Sequence, residues 1–428
     1  MKKLMFYCQH ILGMGHLIRS MEIVRGLTAD FEVCFVNGGE VINGFQPPAA
    51  VEVINLPAIK SDPEFKALQS VDPLSSLEEI KTVRQGKLLS ILERVQPDVL
   101  MIELFPFGRR RFSFELIPLI EAAQACNTKV VSSLRDIVVT KQDQARHEAK
   151  IVRLINQYFD QLLIHGDPML HPLEESFSRM DDLTCDVRYT GYVVQKPENT
   201  RLTIVDQIVL NKTDSMILVS VGGGRFGHEL LDAVVQSADI LEKQLPHHRI
   251  QVFTGPFIPD DKFWDLRMAA RDRNNLHIHR YTPNLLAYME KADLSISMSG
   301  YNTTMNILTT GVRAMMLPFI GNGDQEQTMR VERLAQLGKV RRLHPADLAP
   351  ERFAQLVMTH LQHEPSQIAV NLDGVEGTAQ WVNALMQLPP DEDVGSGLRS
   401  QMQPEMQSEK QSSDEKVQKA HKQQITAA

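Results

Sequence analysis

The stretch HILGMGHLIRS, residues 10–20, sets two glycines, Gly13 and Gly15, ahead of His16 and Arg19. An apolar run, Leu4 to Cys8, precedes it, and Leu17, Met21 and Val24 fall on one helical face after it. This spacing predicts a strand, a glycine turn and a helix. Glycines let a ligand approach the backbone, and a helix start offers free N–H groups and a partial positive charge. A histidine at the mouth of such a loop titrates near neutral pH, which suits removal of a proton from a reacting hydroxyl. Capping the helix or bonding backbone is the plainer role for the same residue. A dinucleotide site is disfavoured, because its fingerprint wants a third glycine and an acid closing the next strand. Ile18 stands in the glycine's place, and FEVCFVNGGE ends in Asn37, Gly38 and Gly39 with Glu40 only beyond them.

Other polar residues follow apolar runs, where open parallel sheets gather their ligands. In the first half these are ELFPFGRRR (Glu103 to Arg111), Arg135 and Asp136, and His165 to Asp167. Asp136, His165 and Asp167 are alternative bases, with satisfied structural hydrogen bonds as the other reading. In the second half they are GGGRFG from Gly222 through Gly223, Gly224 and Arg225, then Thr254, Tyr281, SGYNT with Ser299, Gly300, Asn302 and Thr303, and GNGDQEQ with Asp324 and Gln327. Consecutive glycines before a helix, with a guanidinium beside them, suit a diphosphate. The run Arg109, Arg110, Arg111 lies among Phe105, Phe107, Phe112 and Phe114. It suits an anionic acceptor, peripheral contact with a membrane surface, or a solvated basic turn before a helix whose phenylalanines are core.

The elements that must position these residues alternate along the chain. VEVINLP, DVLMIEL, KVVSSL and QLLIHG read as strands, with helices around 76–93, 114–125 and 142–158 between or after them. The pattern restarts at ILVSVGGG and continues through IQVFTG, LHIHRY, ADLSISMS and AMMLPF, with helices around 229–242, 302–310 and 325–337. Alternation at this spacing predicts an α/β chain of two doubly wound Rossmann-like domains. The expected division is a first domain at 1–193, a linker at 194–214, a second domain at 215–388 and a tail at 389–428. The tail is rich in Gln, Ser, Glu and Lys, so disorder is expected, with the triplet Asp391 to Asp393 solvated rather than metal-binding.

Composition narrows the function classes. A chain of 428 residues, 43% hydrophobic and 23% charged, has ample core for two domains. The net charge of −8 and pI near 6.0 give no basic footprint for nucleic acid. Cys8, Cys34, Cys126 and Cys185 form no CxxC pair, so reduced thiols and a cytoplasmic setting are expected. MKKLMFYC has the charged start of a signal peptide, but Gln9 and His10 break its apolar run at once. No stretch of about eighteen apolar residues occurs.

The segment SISMSGYNTTMNILTTGVRAMMLPFIGNGDQEQTMRVERLAQLG resembles the nucleotide-sugar segment of glycosyltransferases related to the bacterial enzyme that makes lipid II from UDP-N-acetylglucosamine. ELFPFGRRRFSFEL, SSLRDI, LIHGDP and YTGYV resemble a related branch of predicted bacterial glycosyltransferases, so that the resemblance covers roughly residues 1 to 385. It implies the GT-B fold, two Rossmann-like domains facing across a cleft, and a hexosyltransferase-type activity. A nucleotide-sugar donor, UDP-linked, would pass its sugar with inversion to a hydroxyl acceptor, lipid-linked or small, without cofactor or metal. The enzyme would be cytoplasmic or peripheral at the inner membrane face. By the same resemblance His16 is the base, Gly223 and Gly224 approach the diphosphate, and Tyr281 lies beside the nucleobase. Gly300 and Thr303 would contact phosphate, and Asp324 and Gln327 the donor sugar. Asn306 departs from the family, which carries a ribose-gripping glutamate there, and Arg313 replaces a proline. Two alternatives stay open. GMGHLIR also resembles the loop of a UDP-sugar hydrolase of the same fold, and Asn306 is compatible with a non-catalytic nucleotide-binding or regulatory module. No feature fixes the sugar, the acceptor or an oligomeric state.

Overall fold

Strands whose residues are buried from end to end build the centre of two parallel sheets in the computed structural model. It describes residues 1–10, 15–42, 47–61, 68–72, 74–139, 143–196, 202–212, 214–321 and 325–387. Gly13, Asp324 and the tail with Asp391 to Asp393 lie outside the described residues.

The first sheet comprises β1 (Lys2–Cys8), β2 (Phe31–Asn37), β3 (Val51–Asn55), β6 (Val99–Glu103), β7 (Lys129–Arg135), β8 (Gln161–His165) and β9 (Asp186–Tyr189), with β4 (Ile59–Ser61) and β5 (Leu68–Ser70) pairing apart as an antiparallel ribbon. Its order is β3-β2-β1-β6-β7-β8-β9, all parallel. The second sheet runs β12-β11-β10-β13-β14-β15, where β10 is Ser215–Ser220, β11 His248–Phe253, β12 Leu276–His279, β13 Leu294–Met298, β14 Ala314–Leu317 and β15 Arg341–Arg342. In each sheet the strand order reverses beside the first strand, between β1 and β6 and between β10 and β13. Such a reversal opens a crevice at the carboxyl ends of the two strands. Strands such as β6, VLMIE, and β8, QLLIH, are buried at every residue, which is why they read as continuous apolar runs rather than alternating ones.

The helices are α1 (Gly15–Leu27), α2 (Leu77–Val95), α3 (Ser113–Ala125), α4 (Gln144–Tyr158), α5 (Ile204–Leu210), α6 (His228–Gln244), α7 (Asp260–Ala269), α8 (Leu285–Lys291), α9 (Tyr301–Thr310), α10 (Glu326–Gln336), α11 (Pro350–Leu361) and α12 (Gly374–Leu385). Local chemistry sets their starts. Ser76 and Glu79 form a capping box ahead of α2, and Thr203 and Asp206 form another at α5, each satisfying two otherwise unpaired N–H groups. Helix α5 therefore occupies the segment 194–214 that reads from the sequence as linker. The chain then crosses back. In α12, Trp381 Nε1 donates to the Tyr189 carbonyl of β9 at 3.2 Å, and Arg188 lies 4.5 Å above the Trp381 ring. A division at 1–193 and 215–388 does not anticipate this return.

Residues 1–383 form one compact unit, and a buried charge network joins the sheets within it. Arg330 of α10 donates to both carboxylate oxygens of Asp136, which follows β7, at 2.8 and 3.1 Å, and to Glu326 at 2.9 Å. Arg135 completes the chain by donating to Glu326 at 2.8 Å. Burial alone would raise the Asp136 carboxyl, but Arg330 outweighs it and holds the group below the usual range. Tyr301, at the start of α9, donates to the His165 carbonyl at 3.1 Å and lies under the guanidiniums of both Arg19 and Arg330. Removing one partner of a buried pair strands the other charge and costs about 3–5 kcal/mol, whereas exposed pairs are worth about 0–1 kcal/mol. Arg330→Ala should therefore lower the unfolding free energy, from urea denaturation, by about 3–5 kcal/mol. Arg333→Ala, which breaks the half-exposed pair with Glu175, should cost no more than about 1 kcal/mol.

Candidate active site

The carboxyl ends of the two sheets enclose a cleft of about 1030 Å³. Gly15, His16, Arg19 and Arg135 line it from the first sheet, and Gly222 to Arg225, Tyr281, Gly300, Asn302, Thr303, Asn306 and Gln327 from the second. The two walls touch directly where Asn302 Nδ2 donates to the Gly15 carbonyl at 3.0 Å.

On the first wall His16 stands in the opening turn of α1 with its side chain 16% exposed, and its Nδ1 lies 2.8 Å from Oε1 of Glu103, which is fully buried at the end of β6. A carboxylate can only accept, so Nδ1 carries the proton and the Nε2 lone pair is left for the cleft. Glu103 is held in turn by Arg19, which donates to Oε1, and by Ser133 Oγ, which donates to Oε2 at 2.8 Å. Ser133 lies 2.9 Å from His165 Nε2, and His165 Nδ1 lies 2.9 Å from Thr190 Oγ1. Burial first, then the guanidiniums of Arg109, Arg135 and Arg19, hold the His16 pKa well below the ordinary histidine value, with Glu326 opposing them. The imidazole is therefore neutral at pH 7. This is an oriented base of the kind in which a carboxylate fixes the tautomer of a histidine.

On the second wall the loop after β10 approaches the cleft as bare backbone. Gly255 has φ +88°, and a Cβ there would lie 2.4 Å from both the Gly223 carbonyl carbon and the Gly224 nitrogen. Two loops can pack backbone on backbone only with glycine at this position. Arg225 reaches across the Phe257 ring at 5.1 Å. Gly300 caps α9 with no side-chain hydrogen bond, so the first-turn N–H groups and the positive end of the helix face the cleft beside Thr303. The Gln327 amide oxygen accepts from the Phe319 N–H at 3.0 Å, which leaves its two N–H donors for the cleft.

The remaining candidates sit behind these walls. Asp136 is fully buried and committed to Arg330. Asp167 accepts from the N–H groups of Met169 at 2.9 Å and Asn371 at 2.8 Å. His165 is buried with both ring nitrogens occupied, and burial lowers its pKa to about 3. None of the three reaches the cleft as a base. Thr254 and Ser299 are fully buried under the loops, Ser299 Oγ donating to the Gln327 carbonyl at 3.2 Å. Asn306 is 4% exposed and lines the cleft on the same α9 face as Asn302. Ser133 escapes a reading of the sequence, and Glu103, picked out there only as a strand end, is given no role by it. A lone acid at a strand end becomes informative only once β1 and β6, 95 residues apart, are seen to be neighbours, as the parallel register Leu4 with Val99 shows. Among the described residues no group of three or more His, Cys, Asp or Glu could hold a metal ion.

Residues 216–376 match the glycosyltransferase family 28 C-terminal domain. An uncharacterised glycosyltransferase of Methanopyrus kandleri is 24% identical over 228 residues, 52% of this chain and 61% of that protein. The matched stretch thus spans less than two thirds of that relative. The UDP-N-acetylglucosamine–N-acetylmuramyl-(pentapeptide) pyrophosphoryl-undecaprenol N-acetylglucosamine transferase of Desulforamulus reducens is 21% identical over 82% of this chain and 88% of its own. Among solved structures, a UDP-glucosyltransferase from Polygonum tinctorium is similar with TM-score 0.57 at 11% identity, covering 90% of this chain and 93% of that one. Likeness at this level establishes the fold.

The surroundings of His16 give a direct test in solution. Its ring should titrate below the unperturbed histidine value of about 6.5 when followed by histidine NMR. Arg109→Gln removes a neighbouring cation, so it should move that titration upward. A wild-type value above about 6.5 would contradict the cationic surroundings.

Proposed function

We propose that this chain, a GT-B superfamily member with a family 28 C-terminal domain, transfers a hexosyl group from a UDP-linked donor to a hydroxyl acceptor with inversion. The observation that carries the reading is the opposition of an oriented neutral base, His16 on Glu103, to a wall of bare backbone amides across one cleft. The donor diphosphate is assigned to the Gly222–Gly224 loop and the α9 start at Gly300 and Thr303. The donor sugar is assigned to Gln327 and the nucleobase to Tyr281. His16 Nε2 takes the acceptor proton as the hydroxyl oxygen bonds to the anomeric carbon. The bond from that carbon to the diphosphate oxygen breaks on the opposite face, and its electrons leave with the nucleotide. One displacement inverts the centre. Charge developing on the leaving group is met by N–H groups and a helix N-terminus, a role that needs no resident cation.

Asn306 presents an amide to the cleft, so a ribose hydroxyl would meet a neutral partner rather than a charge-assisted one. The Desulforamulus relative is named for a pyrophosphoryl-undecaprenol substrate. A lipid-linked acceptor met at the cytoplasmic membrane face is the corresponding assignment for this chain. No described helix is long and apolar enough to cross a membrane.

The reading is tested by nucleotide binding and by release of UDP from a panel of UDP-sugars, with and without cell-extract acceptors. UDP should bind wild type and His16→Ala alike, while turnover falls about 10²- to 10⁴-fold in the variant, the usual worth of a general base. The acid limb of kcat/KM should lie below about pH 6.5. The proton-accepting form of a base whose pKa is lowered persists until pH falls through that lowered value. Absence of UDP binding would remove the donor assignment, and release of free sugar without acceptor would assign hydrolysis instead.

A further inference from the structure

Two helix stripes meet along one edge of the cleft. On α1, Gly15, Ile18, Arg19, Glu22 and Arg25 recur at the spacing of one helical face, and all five line the cleft. On α9, Asn302 and Asn306 do the same, one turn apart. The stripes touch at their starts through the bond from Asn302 to the Gly15 carbonyl. Further along, Ile18, Arg19 and Glu22 enclose with Asn302, Met305 and Asn306 a void of about 10 Å³, barely the space of one water molecule. Glu22 and Asn306 therefore come close from opposite helices, and both also open onto the main cleft.

Neither group is fully used by the protein. Glu22 is 8% exposed, and its Oε2 accepts from Arg25 Nε at 3.2 Å, from a guanidinium that is itself 37% exposed. Gln195 supplies a second bond. An ionised carboxylate has about four acceptor sites, so capacity remains on a side chain that lines the cleft. Burial pushes the Glu22 carboxyl above its ordinary value, with Arg25 opposing. The side-chain amide of Asn306, 4% exposed, has no hydrogen-bond partner among the described residues. A buried amide and a buried carboxylate left short of partners cost free energy until a ligand meets them. A vicinal diol suits the pair, because each hydroxyl can donate to a carboxylate oxygen and accept from an amide N–H.

The transfer reading above places one such diol here. It assigns the nucleobase to Tyr281 and the diphosphate to Gly300 and Thr303, so the ribose spans the interval between them. Asn306 follows Thr303 by three residues, on the cleft face of α9. Resting on that reading, we propose that Glu22 is a donor-specificity residue of the first wall, accepting from the ribose hydroxyls opposite the Asn306 amide. The nucleotide is then gripped from both sides, rather than by the second wall alone. His16 precedes Glu22 by six residues on the same helix, about 9 Å along its axis. Engagement of the ribose therefore fixes the helix that carries the base.

Calorimetry on the full chain tests this with UDP and its 2′-deoxy and 3′-deoxy analogues, which keep the base and the diphosphate. Wild type should bind at least one analogue about tenfold or more weakly than UDP, the worth of one hydrogen bond to a charged group. Glu22→Gln keeps the shape and removes the charge. It should weaken UDP by about tenfold and leave that analogue unchanged, so that discrimination collapses. The double variant Glu22→Gln with Asn306→Glu carries the acid to the other wall and should restore it. A purely structural role for Glu22 would instead weaken all three ligands by one factor. The wild-type comparison needs no variant. Equal binding of the three ligands by wild type, full discrimination retained in Glu22→Gln, or a uniform loss across all three would overturn the inference while leaving the donor site standing. Failure of UDP itself to bind would overturn both.

Discussion

Asp136 and Arg330 meet where water cannot reach them, and this pair fixes how the two sheets face one another. A buried carboxylate and guanidinium are tolerated only in register, because a small slip leaves both desolvated and unpaired. Their alignment brings Tyr301 under two guanidiniums and Asn302 onto the Gly15 carbonyl. Through those contacts the opening turn of α1 and that of α9 confront each other across the cleft. The reactive geometry is thus a by-product of a charge pair that never touches the substrate.

A second carboxylate, Glu103, performs the complementary task. It accepts from His16, Arg19 and Ser133 at once, so the imidazole cannot rotate without breaking its hydrogen bond to a fully buried carboxylate. Electrostatics then opposes itself. Glu326 favours a protonated imidazole, while burial, Arg109, Arg135 and Arg19 disfavour it and prevail. A histidine that is neutral, oriented and surrounded by cations is ready to accept a proton but weakly driven to do so.

Much of the fold can be read from the sequence because long amphipathic helices and buried strands leave strong patterns. Helices α2, α4, α6 and α10 fall within about two residues of the periodic segments. The short elements are harder to read. α5 and α8 have seven residues each, and β15 has two, too few for a period to declare itself. At the site the same divide holds. His16, the triple glycine and SGYNT announce themselves by local type and spacing. Glu103 does not, because its meaning depends on a neighbour in space. Asp136, His165 and Asp167 look reactive for the opposite reason: polar residues after strands suggest a cleft, yet here they are spent on joining elements. Arg109 sits between these cases, legible as basic but not as a donor to the Gln9 carbonyl, which its Nε meets at 2.6 Å.

The return of α12 to β9 bears on how such a protein could be recombined. Gly374 and Gly377 pack so closely on residues 190–192 that a Cβ on either would lie within 2.6 Å of main-chain atoms there, and Asn383 reaches Asp30 at 2.7 Å. The end of the described chain therefore belongs structurally to its beginning. An exchangeable donor cassette would run between the two crossings, from about the α5 cap at Thr203 to Asp373, rather than from β10 to the carboxyl terminus. A chimaera cut at β10 alone would import a foreign helix onto a sheet whose glycine-sized recesses are shaped for its own.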